Sequence, residues 1–139
     1  MVRFLIFLCC FQLFSQNQYS KNGDRHGLWK GYYESGELRY EGVFRDGKET
    51  GVFKYYFESG NLEKELLYIE DGVRAKVRMY YSNKKIKILG EYCLKQRCGT
   101  WDYFDNLGNI IFRENYKDGV LNGGYFIFFE GVLTDFYTY

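Results

Sequence analysis

The sequence predicts an all-β fold: an elongated single antiparallel sheet built from about five tandem 24-residue β-hairpins. The first observation behind this is a repeat, since GLWKGYYESGEL (Gly27 to Leu38) returns as GVFKYYFESGNL (Gly51 to Leu62), sharing G-x-[WF]-K-x-Y-[YF]-E-S-G-x-L. The second is a period of two inside each unit, with aromatic and β-branched residues alternating with polar ones, which is the signature of strand. The third is punctuation. Glu34-Ser35-Gly36, Glu58-Ser59-Gly60 and Asn106-Leu107-Gly108-Asn109 divide units into halves, and Asp46-Gly47, Asp71-Gly72 and Asp118-Gly119 divide unit from unit. Asp-Gly supplies the positive φ angles of a tight hairpin turn.

Residues 1–15 stand apart. One charge in MVR precedes the apolar run Phe4 to Phe14, which is too short for a spanning helix of about 20 residues. It fits a signal peptide cleaved after Ser15. Cys9 and Cys10 raise a lipoprotein signal as the competing reading, but they come early and follow no small residue. A buried N-terminal strand is the third. The expected division is a signal peptide over 1–15, a lead-in over 16–26 and a five-unit repeat domain over 27–139.

Within that domain Gly27, Gly51, Ala75, Gly99 and Gly123 share one slot. Two residues on stand Trp29, Phe53, Val77, Trp101 and Tyr125, and five residues on stand Tyr32, Tyr56, Tyr80, Phe104 and Phe128. An aliphatic slot holds Leu38, Leu62, Ile86 and Ile110, and a late aromatic slot holds Phe44, Tyr68, Tyr92 and Tyr116. Loss of one residue at Glu130-Gly131 brings Leu133 and Tyr139 into these last two slots. Ten strands spaced by roughly 4.8 Å make a sheet on the order of 45 Å wide. With no helix-period segment to cover it, stability must come from aromatic residues stacking between repeats. A closed barrel is the alternative.

Loss of Arg3 with the leader takes the 19 basic residues to 18, equal to the 18 acidic ones. A neutral chain has no broad attraction for nucleic acid, and charge gives no support to peripheral contact with membrane or glycan.

The unit resembles the MORN repeat, and more closely its bacterial variant, through Tyr33-Glu34-Ser35-Gly36-Glu37-Leu38 and Tyr116-Lys117-Asp118-Gly119. The likeness runs from about Asn22 to Tyr139. It implies an interaction or scaffolding module without catalytic activity or cofactor, and many bacterial members (the YwqK-like group) are labelled antitoxins. Ala75 and Lys84 depart from the pattern where glycine is expected, and the fifth unit is shortened.

Chemistry-bearing residues are few. Cys93 and Cys98 flank Leu94-Lys95-Gln96-Arg97, where facing positions of a hairpin come within reach of a disulfide, and export would favour the bond. Two free thiols is the other reading. A redox pair lacks C-x-x-C spacing, and zinc would need two further ligands. His26, the sole histidine, reads as a loop residue, and no nucleophile–base pair is apparent. Glu34, Glu58, Asp105 and Glu130 recur beside turns and belong to the hairpin design rather than to a carboxylate pair.

The expectation is therefore an exported, non-enzymatic surface for a protein partner, of antitoxin or immunity type. Docking would use rows from the Tyr32 and Phe44 slots, although most rings serve to stack the sheet. Alternatives are an envelope scaffold self-associating through sheet edges, and a glycan- or lipid-binding surface.

Overall fold

The computed structural model describes residues 16–139, and the expected signal peptide lies outside the described residues. Eleven strands follow one another in chain order: β1 (Gln18–Tyr19), β2 (Arg25–Tyr32), β3 (Leu38–Arg45), β4 (Lys48–Tyr56), β5 (Leu62–Glu70), β6 (Arg74–Tyr80), β7 (Ile86–Cys93), β8 (Gln96–Phe104), β9 (Ile110–Lys117), β10 (Val120–Phe129) and β11 (Val132–Thr138). They form one open antiparallel sheet in the order β1 to β11, with no helix among the described residues. The ten expected strands are β2 to β11. β1 is an addition, because Gln18 and Tyr19 pair with His26 and Arg25. That pairing also draws His26 into β2, so it is a strand residue and not the loop residue expected.

Each connection carries its own turn chemistry. Asp46-Gly47 and Asp118-Gly119 have positive φ at both residues, as two-residue hairpins require. Leu94-Lys95 reaches the same geometry (φ 51° and 66°) without glycine. Inside units the left-handed position is Gly36, Gly60, Lys84 and Gly108, one repeat apart each time, so Lys84 holds the glycine conformation despite its Cβ. In the fifth unit Glu130-Gly131 makes a shorter two-residue turn, and Leu133 then faces Phe128 just as Leu38 faces Tyr32. The shortened repeat is completed.

Two kinds of bulge set which side chain goes where. Near the within-unit turn, Gly31 pairs with Tyr40 but Tyr32 with Leu38, leaving Arg39 extra. The same slip recurs between β4 and β5, β6 and β7, and β8 and β9. Leu38 therefore shares a face with Tyr32 and not with Tyr40, which simple alternation would have given. The second bulge sits at the repeat glycine. Glu41 pairs with Lys54 and Val43 with Thr50, so Gly51, Val52 and Phe53 together span Gly42. Gly99 and Gly123 sit in equivalent bulges, and Gly51, Gly99 and Gly123 all have positive φ. Extra residues of this kind bend and twist a strand, which an open sheet of this width needs.

One face carries the core: Trp29, Phe44, Phe53, Leu66, Ala75, Val77 and Trp101 are buried, with Tyr55, Tyr68, Tyr92, Tyr103 and Tyr116 packed against them. A single layer buries Trp101 completely because its neighbours close over it.

Candidate functional site

Two surfaces compete for the functional role, one on each face. The core face is a row of rings. Tyr19, Trp29, Phe44, Phe53 and Tyr68 meet edge-to-face in succession at centroid separations of 5.1, 5.9, 5.1 and 5.6 Å. The row breaks at Ala75 and Val77, then resumes as Tyr92, Trp101 and Tyr116 at 5.2 and 6.4 Å. Edge-to-face geometry is what the ring quadrupole favours, so each pair adds to the burial it brings.

Arginines roof this row. The Arg25 guanidinium lies 4.9 Å from the Trp29 ring centre and 5.2 Å from that of Phe44, and Arg97 lies 4.6 Å from that of Trp101. Arg97 also donates from Nη1 to the Tyr103 and Tyr116 hydroxyls at 2.9 Å each, and both hydroxyls donate to Glu114 Oε2 at 2.7 and 2.9 Å. Burial, followed by the bond to Glu114, pushes the Tyr103 hydroxyl well above its ordinary pKa. The Trp29 indole N–H donates to the carbonyls of Gln18 and His26, whereas the buried Trp101 N–H has no acceptor among the described residues.

The opposite face is ionic. Reading across consecutive paired positions gives Lys30, Glu41, Lys54, Glu65, Arg78, Leu89, Asp102 and Arg113, and then Phe126 and Phe136. Charge alternates strand by strand except at Leu89. Opposite charges placed directly across an antiparallel pair each stabilise it by a few tenths of a kcal/mol up to about 1 kcal/mol. Lys30 and Glu41 approach to 3.5 Å, and Arg113 meets Asp102 through both guanidinium arms at 2.5 and 3.0 Å. This ladder explains a neutral chain by pairing. Charges at alternate positions are not contiguous in the chain, so composition hid them.

Tyrosines of the Tyr32 slot belong to this ionic face. Tyr56 donates to Glu41 and Tyr80 to Glu65, each at 2.7 Å. The next pair at the same spacing is Phe104 with Leu89, in which hydroxyl and carboxylate have both gone. Phe128 continues the slot, and Tyr32 itself is half exposed. The expected docking surface combining the Tyr32 and Phe44 slots is thus not one surface. The alternation in β2 and the Trp29–Gly42 pairing set the two slots back to back. Trp29, Phe53 and Trp101 instead interleave with Phe44, Tyr68, Tyr92 and Tyr116 on the core face.

The remaining sequence candidates are also placed. Gly27, with φ 75°, occupies the left-handed conformation of its repeat partners. Cys93 and Cys98 are disulfide-bonded with Cα atoms 5.8 Å apart. The expected four-residue loop between them is a two-residue turn. Cys93 faces Gln96 and Cys98 faces Glu91, so the bridge crosses the hairpin diagonally.

A cleft of about 610 Å³ opens on the ionic face where Leu89 interrupts the ladder. Val52, Leu67 and Leu89 supply apolar lining, and Lys76 and Arg78 flank it. Val52 and Leu67 are each 45% exposed beside it.

Residues 25–46 and 49–70 run from the first strands of two successive units to the ends of their hairpins. Both segments match the MORN repeat variant. No curated protein matches the chain. MORN-type repeats are generally protein- or membrane-binding modules.

Proposed function

We propose that this chain is an exported, non-enzymatic repeat protein that binds a dedicated protein partner, in the manner of an antitoxin or immunity protein. The cleft at Leu89 is the observation that carries the reading. The aromatic row on the core face is spent on holding the sheet together, roofed by Arg25 and Arg97. The ionic face instead leaves Val52 and Leu67 open beside a recess. Apolar floors ringed by polar groups are where protein interfaces concentrate their energy. The apolar leader over residues 4–14 and the Cys93–Cys98 pair support export.

The test is a crosslinking pull-down from the native envelope fraction with the full chain as bait. One stoichiometric protein is expected, recovered with the natural sequence and lost with Leu67→Glu. Recovery of the bait alone, or of the same protein with Leu67→Glu, counts against the reading. An envelope scaffold is the second reading, favoured by the exposed strand β11 with Val132, Leu133, Phe136 and Tyr137 open. The first strands are better protected, because the Asn17 amide bonds both backbone groups of Lys30. Oligomers that grow with concentration in pure protein would favour that second reading.

A further inference from the structure

We infer that the cleft at Leu89 recognises an extended acidic protein segment, with two carboxylates two residues apart and an aliphatic side chain beside them. The inference rests on the protein-partner reading above and names the chemistry of that partner.

The cleft contains both signs of charge, but only one sign is free. Each acid at its rim is already engaged: Glu65 accepts from the Tyr80 hydroxyl, Glu91 is held by Arg74, and Asp102 is held by both arms of Arg113. The two cations stand opposite carboxylates across the sheet, Lys76 facing Glu91 and Arg78 facing Glu65, but those are the acids already engaged elsewhere. Among the described residues neither Lys76 nor Arg78 forms an ion pair within 4.0 Å, and both are exposed. Arg78 faces an acid, Glu65, on one side of the ladder only, and on the other it faces Leu89. Leu89 thus leaves Arg78 without a charged neighbour on that side, at the place where the sheet is recessed, and faces Asp102 on its other side.

Spacing defines what would pair with these two cations. Lys76 and Arg78 lie on one face of β6, with only Val77 between them pointing to the core. Two residues along a strand separate their stems by about 7 Å. An extended ligand has the same period, so acids at positions i and i+2 meet both cations. Leu67 pairs directly with Lys76, and Leu89 with Arg78, so an aliphatic group of the ligand has apolar floor next to each charge. A membrane surface is a poorer match, since electrostatic lipid binding takes clusters of basic residues and the neighbouring groups here are carboxylates.

The experiment uses the intact chain and a fluorescent peptide repeating Glu-Ser-Glu-Ser-Leu-Ser, which puts both acids and the Leu on one face of an extended chain, with Lys in place of Glu as control, read by polarisation. Binding of the acidic peptide is expected. It should weaken at least tenfold in Lys76→Gln/Arg78→Gln and fall steeply with added salt, while the circular dichroism spectrum stays unchanged. Equal binding of the basic peptide, or full binding by the double variant, overturns the inference. So does retention on phosphatidylserine vesicles, lost in the same variant, without peptide binding. A partner captured in the pull-down that needs Leu67 but tolerates Lys76→Gln/Arg78→Gln would leave the protein-binding reading standing and sink this one.

Discussion

Two junctions between successive units solve the same packing problem in opposite ways. Where β8 meets β7, the large Trp101 lies over Gly90, and a Cβ at Gly90 would collide with the indole. Phe53 lies over Gly42 in the same way where β4 meets β3. Where β6 meets β5, Leu66 fills the glycine position and the residue facing it shrinks to Val77. The backbone changes with the side chains. Gly51 and Gly99 take positive φ inside a bulge that moves the ring across, whereas Ala75, in their slot, has no positive φ and its strand no such bulge. What the repeat conserves is volume across a strand pair, not residue type at a slot. Close-packed interiors require as much.

The comparison breaks first at its largest side chain. Trp101→Ala should cost about 3–5 kcal/mol, the range for emptying a buried aromatic site, and should melt the fourth unit and its neighbours. Val77→Ala removes two carbons from an equally buried site and should cost less than half as much. Urea midpoints for the two variants measure the difference, and equal losses would mean that the rings do not hold the sheet. A sharper test transplants one solution into the other. Gly90→Leu alone should destabilise by at least about 1–3 kcal/mol through overpacking. Gly90→Leu with Trp101→Val and Gly99→Ala recreates the middle junction and should recover a substantial part of that loss. A triple variant no better than the sum of its singles would end the volume argument.

The period of 24, the strand count less one and most turns were legible because each rests on local chemistry: Asp-Gly, Ser-Gly and alternation. The shortened fifth hairpin was readable for the same reason. What escaped was decided between strands. Nothing near Arg39 marks it as the extra residue of a bulge, yet that bulge sends Leu38 to the face of Tyr32. The ladder from Lys30 to Arg113 takes one residue from each strand, and alternation within a strand does not reveal which strands pair in which register. The free pair Lys76 and Arg78 becomes visible only after every neighbouring carboxylate has been matched to its partner.

Alkaline titration separates the faces more gently. Burial, then the bond to Glu41, pushes the Tyr56 hydroxyl up to about 12. Tyr68 on the core face is raised further, by burial and then by Glu49. A group whose folded pKa lies above its unfolded value near 10 contributes fully below pH 10 and loses that contribution as pH climbs through the folded value. Stability should therefore hold between pH 8 and 10 and decline from pH 10 towards 12. Tyr56→Phe should be less stable at neutral pH and show a shallower decline. An unchanged urea midpoint from pH 9 to 11.5 would show that these hydroxyls carry no folded-state preference.

The smallest effect is expected at the outer end of the ionic ladder. Lys30 approaches Glu41 at 3.5 Å, but both side chains keep about a quarter of their surface in water, where such pairs contribute little. The backbone at this position owes nothing to the side chain, because Asn17 satisfies the Lys30 N–H at 2.8 Å and its carbonyl at 3.0 Å. Lys30→Ala should accordingly shift stability by no more than about 0.5 kcal/mol, and 0.5 M salt should erase what shift there is. Glu41 sits one rung further in and holds both Lys30 and the Tyr56 hydroxyl, so Glu41→Ala should cost more than Lys30→Ala. Urea titration of both variants ranks the two rungs. If Lys30→Ala proved as damaging as Trp101→Ala, the ladder and not the ring row would be holding the sheet. The face assigned here to recognition would then be the structural one.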